Sequence, residues 1–462
     1  MVALQASPGA TPMISQMIDD YHNLLTDDLA HQAHDFMMSH LEERHLKFGN
    51  VPVCRTLRPQ FYDPKAWEYL QRRTALVLRA FAKAHAACMS SPTLRAKLDL
   101  EPFEEEMLHV DADAKIHMPW SSSRLDAFYR VDTGYLRFVE YNAETPAGIG
   151  YGDELMRMFL ELEVMKRFQQ RYHLHPTAGM PHLLDALLKA YRAWGGKGKP
   201  QIAIVDWREV PTKNEHEIIN TYFERAGYRS ILCDPREMEY RNGALYVGDF
   251  RVDMIYKRVL ATELVHRMGM QSPIIRAVRD QAVFITNSFS AKLMAKKASL
   301  AFLSDEAHSY LFDIDEIAAI QAHIPWTRRV QDRKTVYQGK EVQLLEFTAQ
   351  NRQNLVLKPN DEYGGAGVVI GWETDQAEWE ATLRHALTTP HVVQERVMMV
   401  EREFPMMIDG TLDISPRFVD ADPYVFSGEY IGSCLTRLSS VALLNVTAGK
   451  GSVVPMFIVE PK

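Results

Sequence analysis

The hydrophobic period of this chain changes twice along its length, and that change limits the fold more than any single motif does. From residue 13 to 105 apolar residues recur at three- and four-residue steps, first through Ile14, Met17, Ile18, Tyr21 and Leu25, then through Trp67, Leu70, Leu76, Leu78 and Phe81. Asp63-Pro64 supplies an N-cap with proline at the first helical position, so a helical N-terminal region that looks like scaffold is expected. Over residues 127–142 the pattern alternates in two runs around Asp132-Thr133-Gly134, which predicts a β-hairpin. Helices are expected near 152–172 and 181–194, followed by the linker GGKGKP at 195–200. QIAIVDW, a helix near 214–226, SILCD, an Asn242-Gly243 turn and VDMIYKR then alternate strand with helix, which predicts a small βαβ domain with a parallel sheet. Helices resume over 290–322, and the last third is strand-rich. The expected class is mixed α/β (α+β), divided at 1–105, 106–198, 199–288 and 289–462.

The 462 residues give each part room for a buried core. A formal charge of -8 argues against nucleic acid as the main partner. Cys54, Cys88, Cys233 and Cys434 are too scattered for a CxxC pair or a disulfide ladder, which suits a reducing cytoplasm. The chain starts without a cationic, apolar leader, and its apolar runs fall short of the ~20 residues of a spanning helix, so neither secretion nor a membrane is expected. His31 and His34 could share a helix face, but a third metal ligand of fixed spacing is missing, and they read as a solvated face.

Chemistry concentrates in LVLKPNDEYGGAGVVIG, residues 355–371. A strand ends in Lys358, a glycine-rich turn follows, and a second strand begins at Val368. Gly364, Gly365 and Gly367 would let backbone amides approach phosphate oxygens with no Cβ in the way, while Lys358 adds a point charge. A bare glycine turn between strands is more often only a hairpin. Glu362 changes the balance, because a carboxylate beside a phosphate loop repels the ligand unless a cation lies between them. At the end of the earlier hairpin, period two puts Glu140 and Asn142 on one face, two oxygen ligands suited to Mg2+. Arg124 and Asp126 repeat that spacing with a cation and a carboxylate. Val392–Val397 is a short apolar strand turning polar, a suitable edge for reading a purine. The GGKGKP linker is not a phosphate loop: Lys199 is followed by proline, and a strand follows it where one should precede.

In this order the VLKPNDEYGGAGV and VEYNAETPAG blocks resemble the circularly permuted ATP-grasp ligases of the glutathione synthetase and glutathionylspermidine synthetase type, loosely over residues 115–460. The resemblance implies an ATP-grasp fold with the small βαβ domain on the substrate side and a glycine-rich lid over the nucleotide, in the part running from 289 to 462. It implies ATP and Mg2+ as cofactors. ATP contacts would fall on Lys297 (or its neighbour Lys296), Lys358, Gly364, Gly365, Gly367 and the hinge Gln394, Glu395, Arg396 and Val397. Metal ligands would be Asp126, Glu140, Asn142 and Glu362. Arg124 and Arg437 would act in catalysis, and Arg258 with the loop residues Ala448, Gly449 and Gly451 would bind substrate. A position that is basic in glutathione synthetases, two after Arg437, is here Ser439. The N-terminal region lacks the Cys and His pair of an amidase, so the bifunctional form is not indicated.

The implied activity is ATP-dependent joining of a small-molecule carboxylate to an amine through an acylphosphate, releasing ADP and phosphate. Its rivals are a kinase on the same fold, which would need no amine, and a non-catalytic nucleotide-binding partner protein of a biosynthetic complex. Methionines in the N-terminal helices offer a surface for a homodimer.

Overall fold

The computed structural model describes residues 12–116, 119–441 and 451–462. The N-terminal region is built on a 27-residue helix, α1 (Pro64–Ser90), which starts where the sequence predicts: the Asp63 side chain accepts from the Ala66 amide at 2.7 Å, with Pro64 following. Leu70, Val77 and Phe81 on its inner face are fully buried. Each such apolar side chain contributes roughly 1.5–3 kcal/mol by leaving water.

The region is not helical throughout. Short strands at Lys47–Phe48 and Val51–Pro52 form a hairpin, and Gln60–Tyr62 is a third strand. It runs parallel to Met456–Pro461 near the C-terminus, which pairs in turn with Tyr172–Pro176. The helical N-terminal region and the C-terminal strand are thus tied into one three-stranded sheet.

The expected hairpin is present as β1 (Ser122–Arg130) and β2 (Tyr135–Asn142), with Gly134 at φ 66° in the turn. It forms one edge of a seven-stranded antiparallel sheet that continues through β5 (Asp422–Phe426) and β6 (Tyr430–Ser439) to Thr411–Val419 and Val400–Ile408, with Gly451–Val454 beside β6. A smaller antiparallel sheet carries β3 (Leu355–Pro359) between Val369–Ile370 and β4 (His391–Glu395), which pairs with Thr327–Arg329. The fully buried Trp379 and Leu344 cover this sheet from flanking helices. The region between residues 202 and 286 contains the parallel sheet expected of it, in the order Phe284–Thr286, Met254–Lys257, Ile202–Val205, Ser230–Cys233. The four cysteines are buried and unpaired. Among the described residues no helix is long and apolar enough to cross a membrane.

Candidate active site

A single cavity of about 520 Å3 opens between the two antiparallel sheets and the parallel one. It collects side chains from segments far apart in sequence: Arg124, Asp126, Glu140 and Asn142 from β1 and β2, Lys297, Lys358, and Arg437 from β6. Glu362, Gly364 and Gly365 also line it. Glu140 and Glu362 therefore share one space.

Strand register explains the first group. Arg124 lies opposite Asn142 and Asp126 opposite Glu140, and a bulge after Asp126 shifts the remaining pairs by one residue. Arg124 grips Asp126 with two parallel bonds of 2.7 and 3.1 Å, and Arg437 reaches the same carboxylate at 2.7 Å. Asn142 Nδ2 donates to it at 2.9 Å, which leaves the amide oxygen of Asn142 to face elsewhere. Burial works to raise the Asp126 carboxyl, but the two guanidiniums outweigh it and hold the group at about 2. Asp126 thus has both oxygens committed to arginines, unlike the open metal ligand expected from the sequence.

Arg437 is held on its other side by Asp420, at 2.7 Å from Nε, and by Asp422 at 2.9 Å. Burial pushes the carboxyls of both Asp420 and Asp422 above the ordinary range. The motif reading missed this pair. Their spacing of two residues at the start of β5 was a visible signal, but the adjacency to Arg437 comes only from strand pairing.

On the opposite sheet Lys358 Nζ donates to Gln394 Oε1 at 2.6 Å and to Val139 O at 3.2 Å. Burial, opposed by Glu140 and reinforced by Lys297, pulls its ammonium down to about 8. Lys297 points into the cavity, 3.4 Å from Glu140 Oε1 and 2.5 Å from the Glu362 carbonyl. Its neighbour Lys296 is turned into the protein against Glu104 at 2.9 Å and does not line the cavity. The geometry therefore separates the two lysines.

The glycine loop uses the freedom its residues have: Gly364, Gly365 and Gly367 sit at φ 62°, 79° and 68°. A Cβ on Gly367 would also come within 2.7 Å of Pro359. The loop is anchored at its root, where Asp361 pairs with Lys292 at 2.6 Å and lies 3.5 Å from both Lys296 and Thr262. At its tip the exposed Tyr363 donates to Glu263 at 3.2 Å, a carboxylate of the helix Ala261–Met268 that also accepts from Trp207 Nε1 at 2.8 Å. Lys292 continues to Glu144, which also holds Lys257 at 3.1 Å and the Ala261 amide at 2.6 Å. Burial opposes ionisation of Glu144, but Lys257 and Lys292 keep it at about 2. None of Glu144, Lys292, Asp361 or Glu263 stood out in the sequence.

The remaining expected contacts divide. Gln394, Glu395 and Val397 line the cavity; Arg396 does not, and its guanidinium stacks 4.1 Å over Trp372. The Glu395 and Arg396 amides are taken by the carbonyls of Trp326 and Asn354, so neither is available to a purine as the edge reading supposed. Gly367 and Gly451 also lie outside the cavity lining. Arg258 lines it, braced on the carbonyls of Pro146 at 2.6 Å and Thr145 at 3.3 Å. Ala448 and Gly449 fall outside the described residues.

Comparison with known proteins decides the lineage of this arrangement. The family model of circularly permuted ATP-grasp type 2 matches residues 99–439, well over half of the chain. The chain belongs to the circularly permuted ATP-grasp family. Among its relatives, a Frankia casuarinae protein provisionally named glutamate–cysteine ligase 2-2 is 25% identical over 337 residues, a match covering 69% of this chain and 36% of that protein. An uncharacterised Mycobacterium tuberculosis protein is 24% identical over 341 residues, covering 69% of this chain and 57% of the relative. The chain thus spans roughly a third to somewhat over half of the curated relatives it matches. A glutathione synthetase-like effector from Globodera pallida, solved in its apo form, superposes with a TM-score of 0.56 at 11% identity, over 94% of this chain and 99% of the other. That likeness concerns the ATP-grasp fold.

The residues present suit Mg2+ with a triphosphate. Mg2+ is typically held by one or two carboxylates plus phosphate oxygens and water. Glu140 and Glu362 line the cavity beside the Asn142 amide, within the same space as two lysines. Among the described residues no group of three or more His, Cys, Asp or Glu side chains is set for a metal by itself.

Proposed function

We propose that this ATP-grasp protein is an ADP-forming carboxylate–amine ligase that activates a small-molecule carboxylate as an acylphosphate and passes it to an amine. The observation that carries the reading is the convergence of Lys297, Lys358, Glu140, Asn142, Glu362, Arg124 and Arg437 on one cavity beneath the glycine loop. The names of the relatives point to the same class.

Lys358 and Lys297 would meet the phosphates, and the glycine loop would lie over them. Val356, Ile370 and Val397 provide an apolar slot for the base at the β3–β4 end. Glu140, Asn142 and Glu362 would hold Mg2+, which neutralises phosphate charge as the carboxylate approaches. Asp126 acts behind them as the post that fixes Arg124 and Arg437. Held in place by Asp126, Asp420 and Asp422, Arg437 spends no energy on reorganisation when negative charge develops on the attacked carbonyl. Arg258 would bind a substrate carboxylate at the other end of the cavity, and the loop tied down through Asp361 and Tyr363 would keep water from the acylphosphate.

The test is to incubate the protein with Mg-ATP and pools of amino acids, small peptides and polyamines, following ADP, phosphate and condensed products by mass. ADP and phosphate release that requires both an acid and an amine supports the reading. Release that needs no amine, or formation of AMP and pyrophosphate, contradicts it.

A further inference from the structure

The cavity also touches the edge of the parallel sheet, and it is bordered by a segment that the sequence marked only as scaffold. The hairpin of Lys47–Phe48 and Val51–Pro52 is pinned in place by hydrogen bonds to its backbone. Its Gly49 amide donates to Pro211 O at 3.0 Å, and Lys47 O accepts from the Tyr151 hydroxyl at 2.9 Å and Asn214 Nδ2 at 2.8 Å. Just beyond it, Val53 O accepts from the Val453 amide at 2.8 Å. These tethers set Phe48 and Val53 into the cavity wall beside Val210 and Pro211. The same end carries Arg258 and Asp206, close enough that the guanidinium acts on the Asp206 carboxyl. Phe48, Val53 and Val453 all lie outside residues 99–439, so the shared family core does not specify these three side chains of the wall.

We propose that Phe48 and Val53 are specificity-determining residues, and that this end of the cavity takes the apolar side chain of an amino-acid or peptide substrate whose charged end meets Arg258 and Asp206. Phe48 and Val53 themselves offer a charged side chain no polar partner to replace lost hydration, and Arg258 and Asp206 would be engaged by the charged end of the substrate. An apolar one loses only unfavourable contact with water. The inference rests on the ligase reading of the cavity.

Calorimetry on the intact chain, with Mg2+ and a non-hydrolysable ATP analogue, tests it using leucine and phenylalanine against glutamate and lysine. The expected result is that the apolar amino acids bind at least about tenfold more tightly than the charged ones, the discrimination typical of a hydrophobic pocket. In Phe48→Asp the ratio of apolar to charged affinities should fall about tenfold or more. If that variant does not fold, Phe48→Leu should change the ratio of leucine to phenylalanine affinity several-fold. Equal or tighter binding of glutamate or lysine overturns the proposal, as does a preference that survives both variants. Failure of the wild-type protein to bind the ATP analogue would defeat the ligase reading as well, whereas normal analogue binding without side-chain preference defeats this inference alone.

Discussion

Lys358 is a cation held where the protein disfavours its charge, and its removal makes a quantitative prediction. The ammonium titrates near 8 in the folded protein, against an ordinary 10.5, chiefly because burial strips its water. That difference amounts to about 3 kcal/mol of cost to the ligand-free fold at neutral pH. Lys358→Met relieves it but loses the two charge-assisted bonds to Gln394 Oε1 and Val139 O, which at about 1.5 kcal/mol each offset the gain. The variant should therefore match wild type in stability at pH 7 to within about 1 kcal/mol. The folded value lies below the unfolded one, so between about pH 8 and 10.5 the unfolded chain holds more protons, and wild-type stability gains from rising pH across that window. The variant lacks this gain and should fall about 2 kcal/mol behind wild type by about pH 10. A bound triphosphate would restore the proton to Lys358, so the Kd of wild type for Mg-ATP should weaken about tenfold between pH 7 and 9. Urea unfolding of both proteins at pH 7 and pH 10, with Mg-ATP titrations across the same range, checks the chain of argument. A variant with the same pH slope as wild type, or wild-type ATP binding that ignores pH, would refute it.

Four further outcomes are expected. Arg124→Ala breaks a buried ion pair and should cost on the order of 3–5 kcal/mol in denaturant unfolding, so the informative variant is Arg124→Lys, which keeps the charge, loses the fork and should lower turnover by about 100-fold or more. Glu144→Gln should destabilise by about 3 kcal/mol at pH 7, and wild type should lose that difference as pH falls below about 4.5 toward 2, because the folded carboxyl titrates below its unfolded value. Tyr363→Phe removes the loop's bond to Glu263 and should raise ATP hydrolysis per amide formed several-fold and quicken proteolysis near residue 364; unchanged coupling would remove Tyr363 from lid closure. Gly371→Ala places a Cβ 1.9 Å from the Arg352 carbonyl and should prevent accumulation of folded protein, read by soluble yield and circular dichroism.

Much of this fold was legible because its signals are local. The Asp132-Thr133-Gly134 turn, the parallel βαβ segment and the glycine loop each declare themselves within a short window, and Lys358, Glu140, Asn142 and Glu362 follow from them. What could not be read depends on partners far away in the chain. The Gln60–Tyr62 strand sits inside a helical pattern, and only its pairing with Met456–Pro461 makes it a strand. Asp420 and Asp422 become the seat of Arg437 through strand pairing. Lys296 and Lys297 are equivalent in sequence and are told apart by the helix start that sends one to Glu104 and the other to the cavity. The hinge reading extended too far for a similar reason, since Arg396 turns away to Trp372 while its neighbours line the cavity. Phe48 belongs to a hairpin too short to register as periodicity and Val53 lies just beyond it, so their place in the site emerges only from the packed structure.

The central claim is best tested by following the γ-phosphate. With the substrate carboxylate labelled with 18O and ATP unlabelled, one oxygen from the acid should appear in the released phosphate, and only when an amine acceptor is present should product accumulate in step with ADP. Phosphate that carries no oxygen from the carboxylate, or ADP formed at the same rate without any acid, would contradict the account.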